Sequence, residues 1–296
     1  MKAKRDFYQE VTDKLIARME AGANPVRSRW DGSGELTLPV NHNTGNHYNG
    51  LNILLLWISQ EDQGFSSSHW MTYKQAKEKG GQVRKGEKGT TIIFYKTLEK
   101  DTGELDKDGN EVKAAVPMLR TFTVFNLDQI DGIDSPAKLA AGGGFEPHQM
   151  AEQILESSGV DIVEGGTRAF YRPSTDRVHM PDRDRFGNPE DFYATALHEL
   201  THATKAKHRC DRPKYESEIR GADYAFEELV AEIGAAFLMA GLSLPGMVQD
   251  HADYLSSWLE VLRNDKRAIF KAAAQAQKAH DWVMSAYADA QQKKAG

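Results

Sequence analysis

The sequence predicts an α+β protein of two domains joined by a short flexible segment. Three observations carry that expectation. The chain has 296 residues, enough for about two hydrophobic cores. Residues 131–144 concentrate loop formers, with Gly132, Pro136 and the run Gly142-Gly143-Gly144, and read as a linker. On both sides of it, some stretches repeat apolar residues at helical spacing, and others cluster β-branched and aromatic residues in short runs. The expected division is residues 1–131, a linker at 132–144, and residues 145–296.

Residues 4–21 place Phe7, Val11, Leu15, Ile16 and Met19 at helical spacing, with Gly22 expected to close the helix. An irregular stretch holding Trp30 follows. Residues 39–50 are dense in Asn, Gly and Thr and read as a loop, and 51–59 as a buried helix. Thr72-Tyr73-Lys74-Gln75 has the Thr and Gln of a capping box and opens a short helix ending at Gly80-Gly81. Residues 90–97, containing Thr91-Ile92-Ile93-Phe94-Tyr95, read as a strand. Turn signals at Asp101-Thr102-Gly103 and Asp108-Gly109 lead to a second strand over 120–126. Past the linker, a helix is expected over 145–158, short strands near 169–171 and 177–180, and helices over 250–263 and 266–290. Two further helices lie between these strands and helices.

The first begins at Asn188-Pro189, an N-cap followed by proline at the first helical position, with Glu190 and Asp191 in the first turn. The basic run Lys205-Ala206-Lys207-His208-Arg209 suits its C-terminus. Within it stands Ala196-Leu197-His198-Glu199-Leu200-Thr201-His202. Positions i and i+4 share a helix face, so His198 and His202 can reach one metal ion. Glu199, turned partly away, can hold a water on that ion and accept its proton. A site of this kind needs a third protein ligand. On the next helix Phe226, Val230, Ile233 and Phe237 form an apolar stripe, with Tyr224, Glu228, Glu232 and Ala235 opposite and Glu227 to one side. Glu228 is therefore the expected ligand. Glu232, one turn on, is placed to accept a hydrogen bond from a ligand imidazole. Tyr224 is a candidate for stabilising an oxyanion.

HELTHAT followed by YAFEELVAEIGAAF resembles the metallopeptidase domain of ArdC-type antirestriction proteins, a domain also found in polyvalent phage and plasmid proteins. The resemblance implies a zincin-like fold with a gluzincin-style His-His-Glu site, matched at His198, Glu199, His202 and Glu228. The expected cofactor is one divalent ion, zinc first, although such a donor set also tolerates manganese.

Composition bounds the remaining functions. Hydrophobic residues make up 40% and charged residues 27%, as in a globular protein, and no apolar run approaches a bilayer span. The start, Met1-Lys2-Ala3-Lys4-Arg5, has the charge of a secretion signal but no apolar segment after it. A single cysteine, Cys210, permits no disulfide framework and fits a reducing bacterial cytoplasm. The net charge of −6 is uneven: residues 1–130 hold 18 Lys and Arg against 17 Asp and Glu, leaving 19 against 26 for the rest. Overall charge thus disfavours nucleic acid, but the first half does not share it.

Between Lys74 and Lys96 stand Lys74, Lys77, Lys79, Arg84, Lys85, Lys88 and Lys96, opposed only by Glu78 and Glu87 and flanked by Trp70, Tyr73, Phe94 and Tyr95. Cations tracking phosphates and aromatics stacking on bases are what single-strand binding requires. Composition alone favours an ordinary solvated surface. Residues 41–52 and 70–88, however, also resemble the N-terminal domain of ArdC-type proteins, which implies sequence-independent binding of single-stranded DNA, with double-stranded DNA a further possible ligand. Trp70, Lys74, Arg84, Lys85 and Lys88 are the expected contacts, with Tyr48 in the loop approaching the backbone. Two functions stay open. One is a shield that coats incoming plasmid DNA during conjugation and protects it from host restriction. The other is a DNA-tethered peptidase acting on a restriction enzyme or another DNA-bound protein.

Overall fold

The computed structural model describes residues 6–21, 37–105, 111–134, 147–217, 221–244 and 252–295; at 95–105, 111–118, 147, 252–254 and 295 it describes the backbone alone. Gly22, Trp30, the Asp108-Gly109 turn and the linker from 135 onward lie outside the described residues. Two compact units emerge. One comprises 39–48 and 55–136; the other is discontinuous, comprising 1–38, 49–54 and 137–296. The first helix and the first turn of the second therefore group with the C-terminal residues, where the sequence reading had put them with the N-terminal domain.

Helix α1, Phe7–Glu20, is capped by Asp6, whose side chain accepts from the Gln9 amide, and buries Phe7, Val11, Leu15 and Met19. Strand β1 is Val40–Asn41, helix α2 Leu51–Gln63, strand β2 His69–Thr72 and helix α3 Tyr73–Glu78. α3 opens on the expected capping box, with Thr72 and Gln75 bonded reciprocally. Strands β3 Gln82–Val83, β4 Thr90–Leu105, β5 Glu111–Asn126 and β6 Ile130–Asp131 complete the 39–136 unit. β4 and β5 are antiparallel and longer than expected. The Asp101-Thr102-Gly103 signal is a register irregularity within their ladder, not a reversal. The main sheet runs β1-β2-β5-β4, with β3 and β6 forming a separate pair. One face packs Trp70, Ile92 and Val124 with Tyr48 and Leu56. A second cluster gathers Met71, Ala76, Val83, Leu127 and Ile130.

The other unit continues with helix α4 Pro147–Ser157, strands β7 Asp161–Glu164, β8 Phe170–Arg172 and β9 Arg177–Met180, and helices α5 Pro189–Ala203, α6 Ala222–Gly241, α7 Ala252–Asn264 and α8 Ala268–Ala295. Its sheet has the order β7-β9-β8, with β7 parallel and β8 antiparallel to β9. α5 lies against this sheet, α4 and α6, and α6 contacts α5, α7 and α8. α6 is buried on nearly every side. Of its expected polar stripe, Glu228, Glu232 and Ala235 are interior too, which makes the two buried carboxylates informative. α1 packs on α7, with the Thr12 hydroxyl donating to the Lys266 carbonyl at 2.9 Å.

Candidate metal centre and nucleic-acid surface

α5 forms where the sequence signals it. The Asn188 side chain accepts from the Asp191 amide at 2.8 Å, and Pro189 occupies the first turn. The helix stops at Ala203, before the basic run, and arginines from the following turn cap its exposed carbonyls. Arg209 donates to the Ala203 carbonyl at 3.0 Å and Arg212 to that of Thr201 at 2.8 Å. α6 comes close to α5 at Gly234, where an added Cβ would lie 2.6 Å from Thr201 Cγ2. That approach brings the two histidines of α5 within reach of the α6 carboxylates.

His198, His202 and Glu228 are all buried, and each offers a ligand atom within 4.8 Å of the others. Glu228 Oε2 is 3.5 Å from His198 Nε2, and Oε1 is 3.4 Å from His202 Nε2. Among the described residues this is the one such group. Burial by itself would push Glu228 up, but the two imidazoles hold its carboxyl far below the usual range. Burial would likewise lower His198, yet Glu228 and Glu232 outweigh it and raise this imidazole to about 10. The pocket thus demands positive charge between two imidazoles and a carboxylate, and nitrogen and oxygen donors of this kind fit a divalent ion. Glu199, also buried, lines the same cleft of about 690 Å³, together with Phe170, Tyr171, Lys205, Tyr215 and Tyr224.

Both outer nitrogens of the histidines face carboxylates. Glu232, 1% exposed, lies 3.5 Å from His198 Nδ1. Glu227, which sequence reasoning set to one side, is 3.1 Å from His202 Nδ1. The Arg212 guanidinium grips Glu227 at 2.9 and 3.0 Å and reaches the Thr204 hydroxyl at 3.0 Å. Burial would raise Glu227, but His202 and Arg212 hold it down at about 2. No sequence signal tied Arg212 to this glutamate, because they meet across an irregular loop. Tyr224, the candidate for stabilising an oxyanion, is 56% exposed on the cleft wall.

The expected DNA contacts divide. Trp70 is 0% exposed and Tyr48 is buried, so neither ring can stack on a base. Trp70 lies in β2, in the middle of the sheet, and packs edge-on against Phe65. Arg84 is already engaged, by Glu87 at 2.8 Å, by Asp131 at 3.4 Å and by the Asp128 carbonyl. Lys74 pairs with Glu78 at 3.6 Å on the α3 surface. Lys85 and Lys88 are exposed, and among the described residues neither has an ion-pair partner.

A buried His-His-Glu set shared by two closely packed helices, with a further glutamate on the first lining the adjoining cleft, is the arrangement of a zincin-like metallopeptidase domain. Residues 149–275 match the family model described as a zincin-like metallopeptidase, and residues 5–125 match the N-terminal domain of the anti-restriction factor ArdC. The chain belongs to the ArdC antirestriction family. A crystal structure of the antirestriction ArdC protein from plasmid R388, metal-free, superposes with a TM-score of 0.80 at 42% identity, covering 96% of this chain and 99% of that one. A Mn(II)-bound structure of the same protein gives 0.79 at 40%, with the same coverage. The uncharacterised protein y4eC of Sinorhizobium fredii is 41% identical over 97% of this chain and 94% of its own length. A DNA primase TraC of Escherichia coli is 40% identical over 96% of this chain, which spans only 20% of that primase.

Proposed function

We propose that this chain binds single-stranded DNA without sequence preference, protects incoming plasmid DNA from restriction in a bacterial cytoplasm, and carries a working metallopeptidase site. The observation that supports the enzymatic part most directly is the buried His198–His202–Glu228 cluster opening beside Glu199 into a cleft. His198, His202 and Glu228 would hold one divalent ion, with zinc the first choice. When bound, that ion supplies Lewis acidity to water and to a peptide carbonyl. The Glu199 carboxylate accepts the proton that the attacking water loses and passes it to the departing amine. Glu232 and Glu227 hold the two imidazoles with their Nε2 atoms toward Glu228, and Tyr224 on the cleft wall is the candidate donor to a developing oxyanion. Among the described residues no helix is long and apolar enough to cross a membrane, and no membrane partner is proposed.

Glu199 also favours a second reading, in which proteolysis of a DNA-bound protein is itself the protective act, because a purely structural metal site has no use for a carboxylate there. One experiment separates them. Glu199→Gln keeps size and metal ligands but removes the base, so peptidase turnover is expected to fall about 100-fold or more. Lys85→Ala with Lys88→Ala is expected to weaken DNA binding and flatten its salt dependence. Protection of transferred DNA in a restricting recipient should survive Glu199→Gln and fail with the lysine pair. The reverse result would move the function to the peptidase.

A further inference from the structure

Burial of Trp70 and Tyr48 removes both of the aromatic contacts expected from the sequence, and the sheet offers a replacement. In an antiparallel ladder, residues directly opposite share a face. Thr90 faces Val124, Ile92 faces Phe122, and Phe94 faces Arg120. At the inner end of this face Val124 and Ile92 are buried in the cluster containing Leu56 of α2. Two residues further along β4 the cover ends. Phe94 is 56% exposed and Phe122 45%, their ring centroids 6.3 Å apart at 77°. These are two of the five large exposed hydrophobics among the described residues, and they touch each other. Scattered exposed apolar side chains are ordinary, but an adjacent pair of exposed phenyl rings on a sheet face is a binding feature.

Charge identifies the occupant. The described side chains of this ladder, Thr90–Phe94 on β4 and 119–125 on β5, include one cation, Arg120, and no acid. Arg120 is exposed, and among the described residues it has no ion-pair partner. Lys88, also exposed, stands two residues before β4 begins. Aromatic faces beside uncompensated cations match a chain of bases on a phosphate backbone, and stacking is indifferent to sequence because every base has a π-face.

We propose that Phe94 and Phe122 form the base-stacking platform of the single-strand site, with Arg120 holding the adjacent phosphate. This rests on the single-strand reading above. The test is fluorescence anisotropy of the full-length protein with a labelled oligodeoxythymidylate across a salt series. Phe94→Leu with Phe122→Leu should weaken binding about 10-fold or more with the salt slope kept. Phe94→Tyr with Phe122→Tyr, which keeps the aromatic faces, should bind like wild type and controls for folding. Arg120→Gln should lower the salt slope by about one. Full affinity in the leucine pair would overturn the platform while leaving single-strand binding standing. So would a wild type that self-associates through this patch, is made monomeric by the leucine pair and keeps its DNA affinity. A wild type that ignores the oligonucleotide would overturn the underlying reading as well.

Discussion

Glu227 and Glu228 are sequence neighbours, yet about 100° of helix rotation gives them different tasks. Glu228 faces both imidazoles, and Glu227 braces one of them from behind while neutralising Arg212, whose side chain is 1% exposed. Glu227→Ala is expected to weaken divalent-ion affinity about 10–100-fold. It should also lower thermal stability in the ion-free protein, because a buried guanidinium loses its partner. Chelator competition and thermal melts measure the two effects, and unchanged ion affinity would remove Glu227 from any positioning role. A second residue-level expectation concerns His42 and His69, whose Nδ1 atoms lie 3.4 Å apart. Burial holds both imidazoles below their ordinary value, aided at His42 by Lys79 and at His69 by His42 and His47. The folded protein then binds fewer protons than the unfolded chain, so this contribution is present above about pH 6.5 and is lost as pH falls below it. Urea midpoints should drop from pH 7.5 to 5.5, and drop less in His69→Gln; equal slopes would contradict the pairing.

The α5–α6 contact is set by one residue without a side chain. Thr201 is β-branched and fixed by its hydroxyl donating to the Leu197 carbonyl at 2.8 Å, so it cannot turn away from a Cβ at Gly234. Gly234→Ala should cost about 1–3 kcal/mol of stability and, by spreading the helices, weaken ion binding. A melt together with a metal titration checks both. α5 was legible in the sequence because several local signals agreed: Asn188, Pro189, two acids and the histidine spacing. Glu228 and Glu232 were legible because helical period alone fixes their face. The strands were less so. β1, β3 and β6 have two residues each, too few to show alternation. β4 runs past the Gly-containing turn signal at Asp101-Thr102-Gly103, and β5 begins before the expected 120–126. Trp70 misled because an aromatic beside lysines reads the same whether its ring faces solvent or core, and only the sheet's neighbours decide. Arg212 was invisible because nothing local ties a loop arginine to a glutamate on the following helix.

For the molecule as a whole, the contact pattern groups the chain's first helix with the C-terminal residues. α1 joins α7 through the ion pair Arg263–Glu20 at 2.5 Å, and the turn after α7 through Thr12 and Lys266 and the ion pair Lys266–Asp6 at 2.6 Å. Its apolar face, Phe7, Val11, Leu15 and Met19, is buried within the unit that holds the metal cluster. Removing residues 1–21 should therefore destabilise the metal-bearing unit and leave oligonucleotide affinity close to wild type. Lost DNA binding with an unchanged melt would assign the helix to the other unit.

The hydrogen bond between Thr12 and Lys266 spans 254 residues. A ribosome adds roughly 5–20 residues each second, so the partners of that bond emerge many seconds apart. The 55–136 segment can close on local pairings while α1 still lacks its partner helix, since distant contacts carry the larger loop-closure cost. The growing polypeptide is thus expected to acquire its sheet first and its His198–His202–Glu228 cluster last. Nascent chains arrested near residue 200 should resist protease over 55–136 and be cut within 7–20.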